Sequence, residues 1–333
     1  MSWMKRAFRR WPSTTWRDNV QLFSVIFSKM IYFLLLMILG FLLARLGLIP
    51  KNSISTLSGL VVKVFLPCLQ MSLVFERGTT FGTFMEKGPF ALVQLGCYGL
   101  LTLLGLGGVR LFRIRFPQRN SFVGGMISGN LGFLYIPLIL SVFPEQQGYV
   151  PILAAVDTLY VWTVGLLFYA QGTERDGEKR TAGKFFRRLL NPIFVAILCA
   201  MTLSTLQIPL PQQLTEAVSS VGNVSGTVGL MLLGANIFYM NKHLKGRIMP
   251  MAGFVFLRQI LAPIVVYVIA GRILGKTEAM LLMLLTGIPT MTTTGLLAIE
   301  YHTDVDFASN LVFFSTVSSL ATIPLITFLS AYL

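Results

Sequence analysis

Ser128-Gly129-Asn130-Leu131-Gly132-Phe133-Leu134-Tyr135-Ile136-Pro137 and Thr286-Gly287-Ile288-Pro289-Thr290-Met291-Thr292-Thr293-Thr294-Gly295 are helix-disrupting runs. Each sits in the middle of a stretch, 121–143 and 281–301, that is otherwise apolar enough to cross a membrane. Glycine frees the backbone, and proline removes an amide donor and clashes with the preceding turn. Lipid offers no partner to a freed backbone group, so non-helical chain at membrane depth survives only inside protein or beside a polar cavity. Two such runs in corresponding halves of one chain point to the binding site of a transporter.

Working outward, the composition is that of a membrane protein. Of 333 residues, 54% are hydrophobic and 12% charged, against roughly 25% charged in soluble domains. With about 20 apolar residues per spanning helix, the hydropathy pattern places spans at 20–47, 53–74, 88–110, 121–143, 149–171, 189–207, 212–240, 248–271, 278–301 and 306–332. The expected fold is therefore an all-α membrane protein of ten transmembrane helices. Residues 1–19 form a basic, Trp-containing interfacial tail, with no apolar core of the kind a cleaved signal peptide has.

A net charge of +14 would suggest nucleic acid in a soluble protein; here it reads as topology, with no nucleic-acid partner. Arg45 and Lys51, Arg110 to Arg119, Arg175 to Arg188, and Lys242 to Arg247 fall between spans on one side, against Arg77, Lys87, Arg272 and Lys276 on the other. Positive residues collect in cytoplasmic loops. This sets both termini outside and the 172–188 linker in the cytoplasm of a multi-pass cell-membrane protein. Lys5, Arg6, Arg9, Arg10 and Arg17 run against that rule.

The halves, 20–171 and 189–333, repeat. Gly47-Leu48-Ile49-Pro50 matches Leu206-Gln207-Ile208-Pro209 at an offset of 159 residues, and aligning Pro137 with Thr294 gives 157. Five spans per half is odd, so the second repeat inserts upside down, and scaffold and transport parts interleave across both. The broken spans four and nine are expected to meet at the midplane.

Several residues could carry chemistry at that depth. Asn130 can donate and accept hydrogen bonds, with Leu131 beside it and Pro137 beyond. Pro289, Thr290, Thr292, Thr293 and Thr294 form the second candidate set. The threonines either satisfy broken-helix carbonyls locally or join half-helix N-termini in holding an anion. Lys63 lies near the middle of span two, where a lysine costs on the order of 2.5–3.5 kcal/mol and normally faces a cavity or partner. Asp157 in span five is at comparable depth; the two either pair to hold helices together, or serve as counter-charge and as coupling or gating group. Arg258, the other coupling or gating candidate, is placed to bind the carbonyls of a broken helix or a headgroup phosphate.

Cys68, Cys97 and Cys199 all lie in apolar runs, which argues against disulfides and zinc. No nucleotide-binding, hydrolase or metalloprotease pattern is present. The expectation is a non-enzyme without cofactor or metal, driven by an H+ or Na+ gradient or by the substrate's own. A non-transporting membrane sensor or scaffold on the same fold is the alternative.

Gly40-Phe41-Leu42-Leu43 leading to Leu46-Gly47-Leu48-Ile49, Phe65-Leu66-Pro67, Asn130 with Tyr135-Ile136-Pro137-Leu138, Asn191-Pro192-Ile193, Leu233-Gly234-Ala235, Arg258 with Pro263, Ile288-Pro289, Ala298 and Glu300-Tyr301 stand in an order that resembles the auxin efflux carrier family, of the bile acid/auxin carrier-like fold. The resemblance implies two inverted five-helix repeats with spans four and nine crossing at the substrate site. Spans one, two, six and seven are implied to form a scaffold, often a homodimer, against which the rest moves as an elevator. Asn130 and Pro137 match the family's substrate asparagine and crossover proline, whereas Thr294 stands where a second crossover proline is expected. A small mono- or dicarboxylate is the implied substrate class.

Overall fold

The computed structural model describes residues 16–172, 191–239 and 248–333. The basic tail up to residue 15, the linker cations Arg175 to Arg188, and Lys242, His243, Lys245 and Arg247 lie outside the described residues.

Every described element is a helix. Helix α1 spans Trp16–Arg45, α2 Lys51–Arg77, α3 Gly88–Leu111 and α4 Gln118–Ile127. Helix α5 is Leu131–Val142, α6 Pro144–Ala170, α7 Pro192–Thr205, α8 Gln212–Tyr239 and α9 Ile248–Ile273. Helices α10, Lys276–Gly287, and α11, Thr294–Glu300, precede α12, Val305–Leu329. Seven of these (α1, α2, α3, α6, α8, α9 and α12) are long and apolar enough to cross a membrane. Helix α7 is shorter and abuts the undescribed linker. Spans four and nine are each two short helices, α4 with α5 and α10 with α11.

Local chemistry sets the ends. Asn191 caps α7 by accepting from the Phe194 amide at 2.9 Å, and Asp304 caps α12 through Phe307 N at 2.8 Å. Gly78 closes α2 in the left-handed conformation, φ 57°. Pro67, Pro137 and Pro263 each follow a π-helical turn, Val61–Phe65, Leu131–Tyr135 and Leu257–Leu261 respectively. The wider turn absorbs the missing donor, so these prolines sit inside continuous helices. Gly129, Gly132 and Pro137 were expected to supply the break in span four together; it lies at Ser128–Asn130, around Gly129, and Pro137 sits downstream of it for this reason.

Packing follows two groupings. Helix α1 lies on α8, and α2 packs on both α7 and α8. Around them, α3, α4, α6, α9, α10, α11 and α12 pack on one another, and α5 faces α8. The α1–α8 contact is a reciprocal glycine fit: a Cβ on Gly40 would fall 1.8 Å from Met231 O, and one on Gly234 would fall 1.8 Å from Met37 O. The two backbones touch there, as small residues permit in membrane helices.

Burial sorts the helices by surroundings. In α4 every residue from Asn120 to Ile127 is buried, and in α10 every residue from Ala279 to Gly287. Both half-helices are thus enclosed by protein. By contrast α1 and α3 turn large side chains outward, with Leu35 58% and Leu103 67% exposed; lipid suits such a surface. Cys68, Cys97 and Cys199 are free thiols.

Candidate functional site

The two breaks meet. Asn130 N donates to Pro289 O at 2.9 Å and Met291 N to Ser128 O at 3.0 Å, an antiparallel bridge centred on Gly129 and Thr290. Each unwound segment thus supplies the backbone partners that the other lost. The remaining freed carbonyls go to Arg258, which α9 delivers fully buried. Its Nε donates to Ile288 O at 2.9 Å and its Nη1 to Gly125 O at 3.2 Å and to Met126 O. One guanidinium therefore caps the C-terminal ends of α4 and α10 together, an arrangement that suits its planar fork of donors and the negative ends of two helix dipoles.

The threonines divide into two pairs. Thr290 Oγ1 donates to Ser128 O at 3.1 Å and contacts Thr294 Oγ1 at 3.1 Å, while Tyr169 OH donates to Thr294 Oγ1 at 3.3 Å. Since the Thr290 proton goes to Ser128, Thr294 must be the donor between the two. Thr290 and Thr294 thereby hold the second break in shape, with Thr290 N bonded to Ser315 Oγ at 3.2 Å. Thr292 and Thr293 instead line a cavity of about 110 Å³.

That cavity lies where both breaks face α2, α6 and α7. Its walls are Val62, Leu66 and Gln70 of α2; Gly129 to Phe133 and Ile136; Ala154, Asp157, Thr158 and Trp162 of α6; Ile193 of α7; and Met291 to Thr293. Asn130 Oδ1 caps α5 through Phe133 N at 3.3 Å, but its Nδ2 has no partner among the described residues. Gln70, fully buried, has no partner for Nε2 or Oε1 among the described residues. Leaving such groups unmade costs about 1–3 kcal/mol each, which a polar ligand or water in the cavity would offset.

Of the residues singled out from sequence, Asn130, Leu131, Asp157, Thr292 and Thr293 come together in this cavity. Pro289, Thr290, Thr294 and Arg258 build its floor without lining it. Pro137 lies against α8, its Cγ 3.1 Å from where a Gly226 Cβ would stand. Lys63 is exposed and outside the lining; Val62 and Leu66 take the inward positions, and Lys63 is turned about 100° from Val62 on the helix. Asp157 Oδ1 is paired instead with Tyr98 OH at 2.6 Å. Gln70 was not anticipated: its signal is an uncharged amide inside the apolar run of α2.

Comparison with known proteins identifies the family. The sequence model of a family described as "Membrane transport protein" matches residues 25–327, nearly the extent of the auxin efflux carrier resemblance. A protein of Methanothermobacter thermautotrophicus described as an uncharacterized transporter is 25% identical over 303 residues, covering 88% of this chain and 94% of that protein.

Proposed function

Because the chain belongs to the membrane transport protein family, matched over residues 25–327, we propose that it is a secondary transporter for a small organic anion, a mono- or dicarboxylate. The observation that carries the substrate class is the pair of unpartnered amides, Asn130 Nδ2 and the Gln70 carboxamide, in a cavity beside two paired helix breaks. A carboxylate accepts from both amides and from the positive end of α5, which starts at Leu131. Thr292 and Thr293 add hydroxyls on the opposite wall. Lys63 makes no contact with the bound anion in this reading.

The same reading takes the molecule as ten spans in two inverted repeats, with both termini outside, in the cell membrane. The glycine-fitted α1 and α8, with α2 and α7, are the scaffold, which can pair with a second copy. The remaining helices carry the cavity past it as an elevator. The boundary runs where α5 meets glycines of α8: a Cβ on Gly229 would stand 2.9 Å from Phe133 Cδ1, so the ring lies directly on the α8 backbone.

Uptake of radiolabelled lactate and succinate into proteoliposomes tests the proposal. Saturable uptake above protein-free liposomes is expected, with Asn130→Ala lowering it about tenfold or more, the worth of one charge-assisted hydrogen bond. Folded protein that moves no small carboxylate would sink the substrate class.

A further inference from the structure

The cavity's charge is one-sided. Among the described residues, Asp157 is its only ionisable lining group, with no lysine, arginine or histidine in the wall. Among the described residues no cation pairs directly with Asp157, although the Arg258 charge reaches it. From α3 come Tyr98, donating to Oδ1 at 2.6 Å, and Gln94, whose Nε2 is held by Leu153 O at 2.9 Å. From α6 itself comes Tyr160, stacked on Tyr98 at 5.1 Å with its hydroxyl 3.1 Å from Thr102 Oγ1. Arg258 of α9 is engaged by three backbone carbonyls. On α2, Lys63 is exposed outside the lining, and Glu76 and Arg77 lie at the helix end. Glu145 is at the start of α6, twelve residues before Asp157, and α7 brings only Ile193.

An anionic substrate entering this cavity meets a carboxylate that no ion pair neutralises, since Arg258 acts on Asp157 only at a distance. Two like charges ~4 Å apart at an effective dielectric of ~20 cost about a thousandfold in affinity. A proton removes that cost. We propose that Asp157 binds a proton together with each carboxylate substrate, so that both ligands share one cavity and cross the membrane together. This rests on the organic-anion reading above.

The proton comes from water on the loading side and joins the Asp157 carboxylate at Oδ2, the oxygen away from Tyr98. The substrate carboxylate sits on the Asn130 and Gln70 amides with its own bonds unchanged. On the far side both leave, and the empty carrier returns with Asp157 ionised. Loaded and empty forms then differ by one proton and one anion, so a monocarboxylate moves without net charge.

The test uses the full chain in proteoliposomes containing a pH-sensitive dye, with labelled lactate and succinate as probes and protein-free liposomes as control. An acid-outside gradient is expected to drive accumulation, each anion bringing one proton inward. On the alkaline side of the profile, uptake is expected to fall by up to tenfold per pH unit, the limit for one linked proton. Asp157→Asn, which mimics the protonated acid, is expected to lose both proton movement and pH dependence, and its lactate uptake to become sensitive to membrane potential.

Uptake driven by a sodium gradient without internal acidification would overturn the proposal, as would Asp157→Asn retaining the wild-type pH profile. If that variant does not fold, the dye signal from the wild type decides alone. Absence of any anion uptake by folded wild type, at every pH, overturns instead the organic-anion reading on which this rests.

Discussion

Gln70 is fully buried at the cavity wall, and among the described residues neither of its amide atoms is bonded, an arrangement that costs stability unless a ligand arrives. Gln70→Leu is therefore expected to raise thermal stability in detergent, by about 1–3 kcal/mol, while lowering lactate or succinate uptake at least tenfold. Unfolding by intrinsic fluorescence and the transport assay, run on the same preparation, check both halves. Residues of this kind show where sequence reading stops. Asn130, Asp157 and Arg258 were legible because a strongly polar group at membrane depth needs a reason. Gln70 passed unnoticed because an uncharged amide barely disturbs an apolar run. Lys63 was expected to face a cavity or partner, but helix azimuth decides what a side chain faces, and α2's azimuth is fixed by α7 and α8. The Tyr98–Asp157 pair joins residues on α3 and α6, a contact that no local pattern announces.

At the scale of elements, the interruption of spans four and nine was plain from composition, while its register was not. Gly129, Gly132 and Pro137 were all candidates for the break; a π-helical turn took up the disturbance at Gly132 and Pro137 and left the unwinding at Ser128–Asn130. What fixes the register is close approach. A Cβ on Gly129 would stand 2.7 Å from Ile288 Cδ1 and 2.8 Å from Arg258 Nη2, so any side chain there pushes the two breaks apart. Gly129→Val is expected to displace the Arg258 guanidinium, strand the carbonyls of Gly125, Met126 and Ile288, and destabilise the fold by about 3 kcal/mol or more. A melting temperature unchanged from wild type would show that the breaks are not held by this contact.

For the molecule as a whole, the elevator reading requires α5 to slide along α8. A Cβ on Gly226 would lie 3.4 Å from Pro137 Cβ, close to the 3.5–4.5 Å spacing of a disulfide. With Cys68, Cys97 and Cys199 replaced, Gly226→Cys with Pro137→Cys is expected to cross-link on mild oxidation, abolish uptake, and recover it on reduction. Undiminished uptake by the cross-linked protein would exclude relative movement of these helices. The grip of Arg258 on both unwound segments has a thermodynamic corollary. If one guanidinium clamps the two together, the broken-helix wall of the pocket travels as an intact body and keeps its own contacts to the cargo, while Gln70 stays behind on α2. Affinity at the two faces of the membrane then differs by the worth of the Gln70 contact, while the sign of net flux is set by the imposed gradients.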